Sequence, residues 1–158
     1  MGKRTTGFRR TYKIRFGDTD PAGVMYFPRF LHVFHEVFED WFDDDLRMPY
    51  RWVLEDTRIG FPTVHTECDY RKPFRFGQNM EVELTVVRVG GKSFECRYRG
   101  RLAGDTEVRV DASIVTAVVD LDSFQGVPIP APLRKALLDR ATVTPPEVPV
   151  WHISAAGE

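Results

Sequence analysis

"IRFGDTDPAGVMYFPRFLHVFHEVFEDW", residues 14–41, changes its hydrophobic period part-way along, and that change decides the fold. At its start Tyr12, Ile14 and Phe16 alternate with polar residues, as a half-buried strand requires. From Phe27 the spacing becomes i, i+3, i+4, i+7. Phe27, Phe30, Leu31, Phe34, Phe38, Trp41 and Phe42 fall on one stripe, while Arg29, His32, Glu36, Glu39, Asp40 and Asp43 lie opposite. Pro28 suits a first helical turn, where its missing N–H costs nothing. The acidic run at 43–45 opposes the macrodipole and marks the helix end. The spacing therefore predicts a strand, a turn and a helix of about four turns with a heavy aromatic face.

Beyond Gly60, which closes a short helical piece in "PYRWVLEDTR", the period is two. Val64, Thr66, Cys68 and Tyr70 share a face. So do Met80, Val82, Leu84 and Val86; then Phe94, Cys96, Tyr98 and Leu102; then Val108, Val110, Ala112, Ile114 and Val118. With the first strand this makes five, joined by short loops, so the sheet is mostly antiparallel. One apolar-striped helix must cover its apolar face. The expected fold class is α+β, an antiparallel sheet wrapped around one long central helix. The core spans about 10–122, a second helix about 132–140, and a Pro-rich tail 143–158. No repeat or composition shift divides the 158 residues, so a single domain is expected.

Parity fixes one hairpin. A two-residue Gly90-Gly91 loop would set Leu84 against Arg97. A three-residue loop through Lys92 sets Leu84 opposite Tyr98, Val86 opposite Cys96 and Glu83 opposite Arg99. The second register keeps like faces together and leaves Lys92 at an exposed tip. It also reads the arginine stripe at 97, 99 and 101 as a solvated face paired with acids.

Composition narrows the function. A net charge of −1 gives no basic field for nucleic acid. No run of about 18 apolar residues spans a membrane, and no apolar stretch follows the basic N-terminus as a signal peptide needs. Cys68 and Cys96 lack metal or redox spacing and read as free thiols, which suits a cytoplasmic location. His32, His35 and Glu39 share one side of the helix, but no further ligands join them and no metal is expected.

Two aspartates, Asp18 and Asp20, stand just before the turn that opens the helix. Both can serve as turn or cap residues, the reading we favour for Asp18. Asp20 divides evenly between that role and chemistry. A carboxylate beside the free N–H groups of a helix start can attack a carbonyl, or activate a water, while the N–H groups hold the oxyanion.

Residues 16–31 closely resemble the active-site segment of hotdog-fold acyl-CoA thioesterases of the 4-hydroxybenzoyl-CoA thioesterase family. The pattern is an aromatic strand end, Asp-x-Asp-x-x-Gly, an apolar-aromatic run and a helix start. "GKSF" at 91–94 resembles the family's Lys-Ser-Phe hairpin segment, and the element order agrees over about 10–122. The resemblance implies a catalytic carboxylate at Asp20, acting as nucleophile or general base. It implies a carbonyl-polarising amide at Phe27 and a close backbone approach at Gly23. Met25 and Tyr26 would lie at the acyl pocket wall, and Lys92 would meet coenzyme A phosphates.

Two departures matter. Where the 4-hydroxybenzoyl-specific member has a hydroxyl-binding aspartate, this chain has His35, either a pocket wall or a boundary histidine of the helix. The basic run before the hairpin lysine is here Gly90-Gly91, so Arg71, Lys72 or Arg75 could build the phosphate site instead. The resemblance implies hydrolysis of an aromatic acyl-CoA without a cofactor, coenzyme A being part of the substrate. It also implies a homo-oligomer, dimer or tetramer, because one sheet over one helix leaves the pocket half built. A short-chain or fatty acyl-CoA thioesterase and a non-catalytic acyl-CoA-binding module are the alternatives.

Overall fold

A computed structural model describes residues 7–142; the tail at 143–158 lies outside the described residues. Strand β1 (Phe8–Lys13) leads through a 3-10 turn at Phe16–Asp18 to helix α1 (Phe27–Asp44). Helix α2 (Tyr50–Glu55), the two-residue strand β2 (Ile59–Gly60) and strand β3 (Thr63–Tyr70) follow. The chain continues with β4 (Asn79–Val89), β5 (Ser93–Leu102), β6 (Val110–Ala117), the two-residue β7 (Val119–Asp120) and α3 (Ala131–Arg140). Five strands form one sheet in the order β1-β4-β5-β6-β3, every neighbouring pair antiparallel. β2 and β7 make a separate two-stranded patch. This is the α+β hotdog arrangement, with α1 lying along the sheet's apolar face.

The core is aromatic where helix meets sheet. Phe34 stacks on Tyr98 with centroids 5.1 Å apart, and Phe38 lies parallel to Phe94 at 6.2 Å. Met80, Val82, Leu84 and Val86 present the predicted face of β4, all buried. The helix buries more than one stripe. Val33 and Val37 are enclosed along with Phe30, Phe34, Phe38, Trp41 and Phe42, because the sheet curls around α1. Phe27 and Leu31, placed on the buried stripe by periodicity, stay partly exposed. Phe27 stands in the first turn, and Leu31 borders a cavity.

The hairpin register agrees with parity at Leu84–Tyr98, Val86–Cys96 and Glu83–Arg99. A bulge at Val87 then shifts the pairing, so Val89 faces Phe94 and the Gly90 amide bonds the Ser93 carbonyl, closing the tip around Gly91 and Lys92. The acids do pair with arginines, though not always the one opposite. Glu83 bonds Arg9 at 2.7 Å, and Arg97 bonds Asp111 at 2.7 Å.

Three expectations are corrected. Phe16 does not extend β1; it sits on the 3-10 turn, 79% exposed. Gly60 does not close α2, which ends at Glu55 with Asp56 as its cap; Gly60 pairs in β2, where a Cβ would press on the Leu121 side chain. Val108 precedes β6, and Val118 separates β6 from β7.

Candidate active site

The loop from Arg15 to Phe27 is held by Asp18. Its side chain is almost fully buried and accepts hydrogen bonds from Arg29 Nε and Nη2, at 3.0 and 2.8 Å. The Arg15 amide donates at 2.8 Å and the Tyr12 hydroxyl at 3.2 Å. The Asp18 carbonyl accepts the Tyr26 amide at 2.8 Å. A buried carboxylate is costly unless paired. Burial pushes its pKa up, but the Arg15 amide, the Arg29 guanidinium and Tyr12 outweigh that and hold it below the usual carboxylate range. Asp18 thus joins β1, the loop and the first turn of α1. The cap reading of Asp18 is met at the 3-10 turn, and the ion pair with Arg29 goes beyond it. Eleven residues of sequence separate the two, and Arg29 reads as one more residue of the polar helix face.

Residues 20–23 then form a tight turn. The Gly23 amide reaches the Asp20 carbonyl at 2.9 Å. Asp, Pro and Gly stand at the first, second and fourth positions, the order a type I turn favours. The Asp20 amide reaches the Val24 carbonyl at 3.0 Å. Gly23 takes a φ of +76°, which other residues adopt only with strain. A Cβ on it would meet nothing within 4 Å, so backbone conformation explains this glycine within one protomer. Asp20 is half-buried. Its Oδ1 accepts the Ala22 amide at 2.8 Å, and its Oδ2 has no partner among the described residues. The carboxylate is oriented and half its acceptor capacity remains open.

Helix α1 begins at Phe27, with Tyr26 as its N-cap residue and no side-chain cap. The Met25 amide goes to the Phe74 carbonyl and the Tyr26 amide to Asp18, and Pro28 has none. The Phe27 amide has no partner among the described residues, so it presents an unspent donor at the positive end of an 18-residue helix. Beside it, Val24, Met25, Phe27, Phe30, Tyr70 and Pro73 line an open apolar hollow. The Tyr26 ring meets that of Phe27 edge-on at 5.3 Å.

His35 lies two turns further along α1. Its Nε2 pairs with Glu39 at 3.0 Å, and its ring stacks on Phe38 with centroids 6.0 Å apart. It also borders a cavity of about 210 Å³ between α1 and strands β3, β5 and β6. Both readings of His35 therefore have a counterpart. Among the described residues, no group of three or more His, Cys, Asp or Glu could hold a metal ion. Cys68 and Cys96 are unbonded, and burial pushes the Cys96 thiol well up.

Lys92 is not brought near Asp20 within one protomer. Val24 bridges Arg75, and Ile14 bonds Gln78, so the acidic loop sits at the Asn79 end of β4. Lys92 follows the Val89 end. The eleven residues of β4, at about 3.3 Å each, put roughly 30 Å between them. Of the basic residues near Asp20, Arg71 pairs with Asp111 at 3.1 Å and Lys72 with Glu107 at 2.5 Å, while the Arg75 side chain has no partner among the described residues.

The fold is that of the hotdog thioesterases. Residues 14–137 match the family model described as the thioesterase-like superfamily, and the chain belongs to that family. It is a thioester hydrolase of the acyl-CoA-handling hotdog type. A 1,4-dihydroxy-2-naphthoyl-CoA hydrolase of Synechococcus elongatus is 33% identical over 122 residues, 77% of this chain and 88% of that one. One of Synechocystis sp. is 27% identical over 127 residues, covering 80% and 91%. A crystal structure of a 1,4-dihydroxy-2-naphthoyl-CoA thioesterase from Synechocystis superposes with a TM-score of 0.76 at 26% identity, covering 84% of this chain and 96% of that one. No helix among the described residues is long and apolar enough to cross a membrane.

Proposed function

We propose that the chain hydrolyses the thioester of an aromatic acyl-CoA, with Asp20 as the catalytic carboxylate and the Phe27 amide as the oxyanion donor. The observation that carries this is the pairing of two unspent groups on one braced loop: Asp20 Oδ2 and the Phe27 N–H. The Phe27 amide polarises the carbonyl and stabilises the oxyanion as the tetrahedral centre forms. Asp20 either attacks the carbonyl carbon itself or takes a proton from the attacking water. The C–S bond then breaks and coenzyme A leaves as the thiolate. Water completes hydrolysis, so no cofactor is called for. The bicyclic aromatic acyl groups in the relatives' names support an aryl substrate over a fatty one. The 4-hydroxybenzoyl group is the less favoured member of that class, since His35 stands where its hydroxyl-binding aspartate would be.

The same reading makes the protein a cytoplasmic homo-oligomer. β3 is an edge strand whose outer side is unpaired among the described residues, a surface that natural sheets usually cover. A second copy would also bring a Lys92 toward each Asp20. Met25 and Tyr26 wall the entrance, and Gly23 shapes the turn.

A panel of aryl and alkyl CoA thioesters, followed by thiol release, tests the substrate class. Asp20→Asn should lower kcat by about 10²–10⁴ with little loss of substrate binding. Its amide oxygen can still accept the Ala22 N–H, so the turn should survive. Wild-type-like turnover by this variant would remove Asp20 from the chemistry.

A further inference from the structure

We infer that Tyr98, together with Thr116, selects acyl groups that carry a ring hydroxyl. The inference rests on the aromatic acyl-CoA reading above and adds residues that it does not use.

The cavity of about 210 Å³ begins at Leu31, one helical turn from Phe27 and about 6 Å along the axis. Leu31, Phe38, Phe61 and Ile114 give it an apolar wall, and His35, Thr63 and Thr66 add polar groups near its rim. An apolar cavity of about 150 Å³ accommodates benzene, so this one has room for a substituted aromatic ring but not for coenzyme A. Tyr98 and Thr116 belong to its wall and are only 3% and 6% exposed. Neither side chain makes a hydrogen bond within the described residues. Neither hydroxyl is sealed off, and the surface each keeps is that of the cavity both residues line.

In the open cavity water can bond both hydroxyls. A ring that enters displaces that water, and each hydroxyl then left unpaired costs about 1–3 kcal/mol unless the ring supplies a polar group. Strand register sets them apart: Tyr98 faces Ala112, while Thr116 faces Phe94, four residues along β5. They consequently stand at different places on the wall of the one cavity. Burial raises the Tyr98 pKa well above the usual phenol value, so it keeps its proton and can donate to, or accept from, a neutral phenol. Its ring stacks on Phe34 at 5.1 Å with 27° between the planes, which limits the direction of the hydroxyl.

The test compares kcat/KM for 1,4-dihydroxy-2-naphthoyl-CoA with that for 2-naphthoyl-CoA, in the wild type, Tyr98→Phe and Thr116→Val. Both changes keep side-chain shape, and thermal melts confirm the fold. The wild type should prefer the hydroxylated substrate. Tyr98→Phe should cut that preference about tenfold, mainly by slowing the hydroxylated substrate, and Thr116→Val should cut it less. An unchanged ratio in both variants, with brisk aryl hydrolysis, would overturn the inference alone and mark the cavity as a site for ordered water. Equal losses on both substrates would also overturn it, as general packing damage. Failure of the wild type to hydrolyse either aryl thioester would overturn the aromatic reading and this inference with it.

Discussion

Two connections carry proposed functional residues, and they are built differently. The loop at 15–27 is wired into the fold by a buried carboxylate that touches a strand, a turn and a helix. The hairpin tip at 90–93 is held through main-chain contacts. Gly90 bonds across the tip to Ser93 at 2.8 Å, Gly91 accepts the Ile129 amide at 2.9 Å, and Lys92 accepts the Val118 amide at 2.8 Å, while the Lys92 side chain is left in solvent. Bond-making chemistry tolerates little misplacement, so its carboxylate and amide need a braced frame. A phosphate contact acts through charge on a flexible stem, and an exposed tip suffices. The contrast can be broken by loosening the first region or sharpened by disarming the second.

The largest effect should come from Asp18→Ala. It strands Arg29 and Tyr12 beside a cavity and frees the loop. A pair broken when both partners are fully buried costs about 3–5 kcal/mol. Arg29 is one-third exposed, so we expect about 2–3 kcal/mol from denaturant melts. As a positioning residue, Asp18 should also lower kcat more than it alters KM, and Asp18→Asn should recover part of both losses. A variant with lost stability but unchanged kcat would make Asp18 a purely structural anchor.

Acid should loosen the same region next. The folded pKa of Asp18 lies below its unfolded value, and so does that of Asp111, through the Arg97 hydrogen bond and charge. A lowered carboxylate pKa gives stability that is complete above the unfolded value, about 3.9, and is lost as pH falls through the folded value. Stability should therefore decline below about pH 4. In Asp18→Asn that decline should be shallower, which melting curves between neutral pH and pH 3 would show.

Gly23→Ala probes the turn between these extremes. Its φ of +76° makes an added Cβ strained, although there is space for it. About 1 kcal/mol of destabilisation is expected, with a modest fall in kcat as the Asp20 turn relaxes. A stabilised variant would show that the turn readily adopts another conformation.

The same contrast explains what the sequence reveals. Periodicity and parity located α1, the five-stranded sheet and the β4–β5 register, because apolar faces impose repeating constraints. The turn after Asp20 and free amides at the helix start were legible from local chemistry as well, since both act over a few residues; the choice of the Phe27 amide among them came from the family resemblance. The Asp18–Arg29 pair was not, because it depends on β1 and α1 meeting in space. Tyr98 and Thr116 were hidden for another reason. On an alternating strand they read simply as members of the inward face, and only the packed cavity shows that their hydroxyls lack partners. The bulge at Val87 also left no periodic trace, since one extra residue near a glycine tip resembles a longer loop.

The smallest effect is expected at Lys92. If its ammonium meets the phosphates of coenzyme A bound mainly by a second copy, it contributes equally before and during the reaction. Lys92→Ala should then raise KM for CoA thioesters a few-fold and leave kcat nearly unchanged. The difference should shrink as ionic strength rises, because an exposed charge pair is screened within about 10 Å at 0.1 M salt. Some 30 Å of sheet separates Lys92 from Asp20 in one protomer, so the effect also requires association. Sedimentation at assay concentration should show at least a dimer. A monomer that still responds to Lys92→Ala would mean that the tip contacts substrate in some other way. An unchanged KM in a dimer would leave Arg75, which lies beside the Asp20 turn, as the stronger phosphate contact.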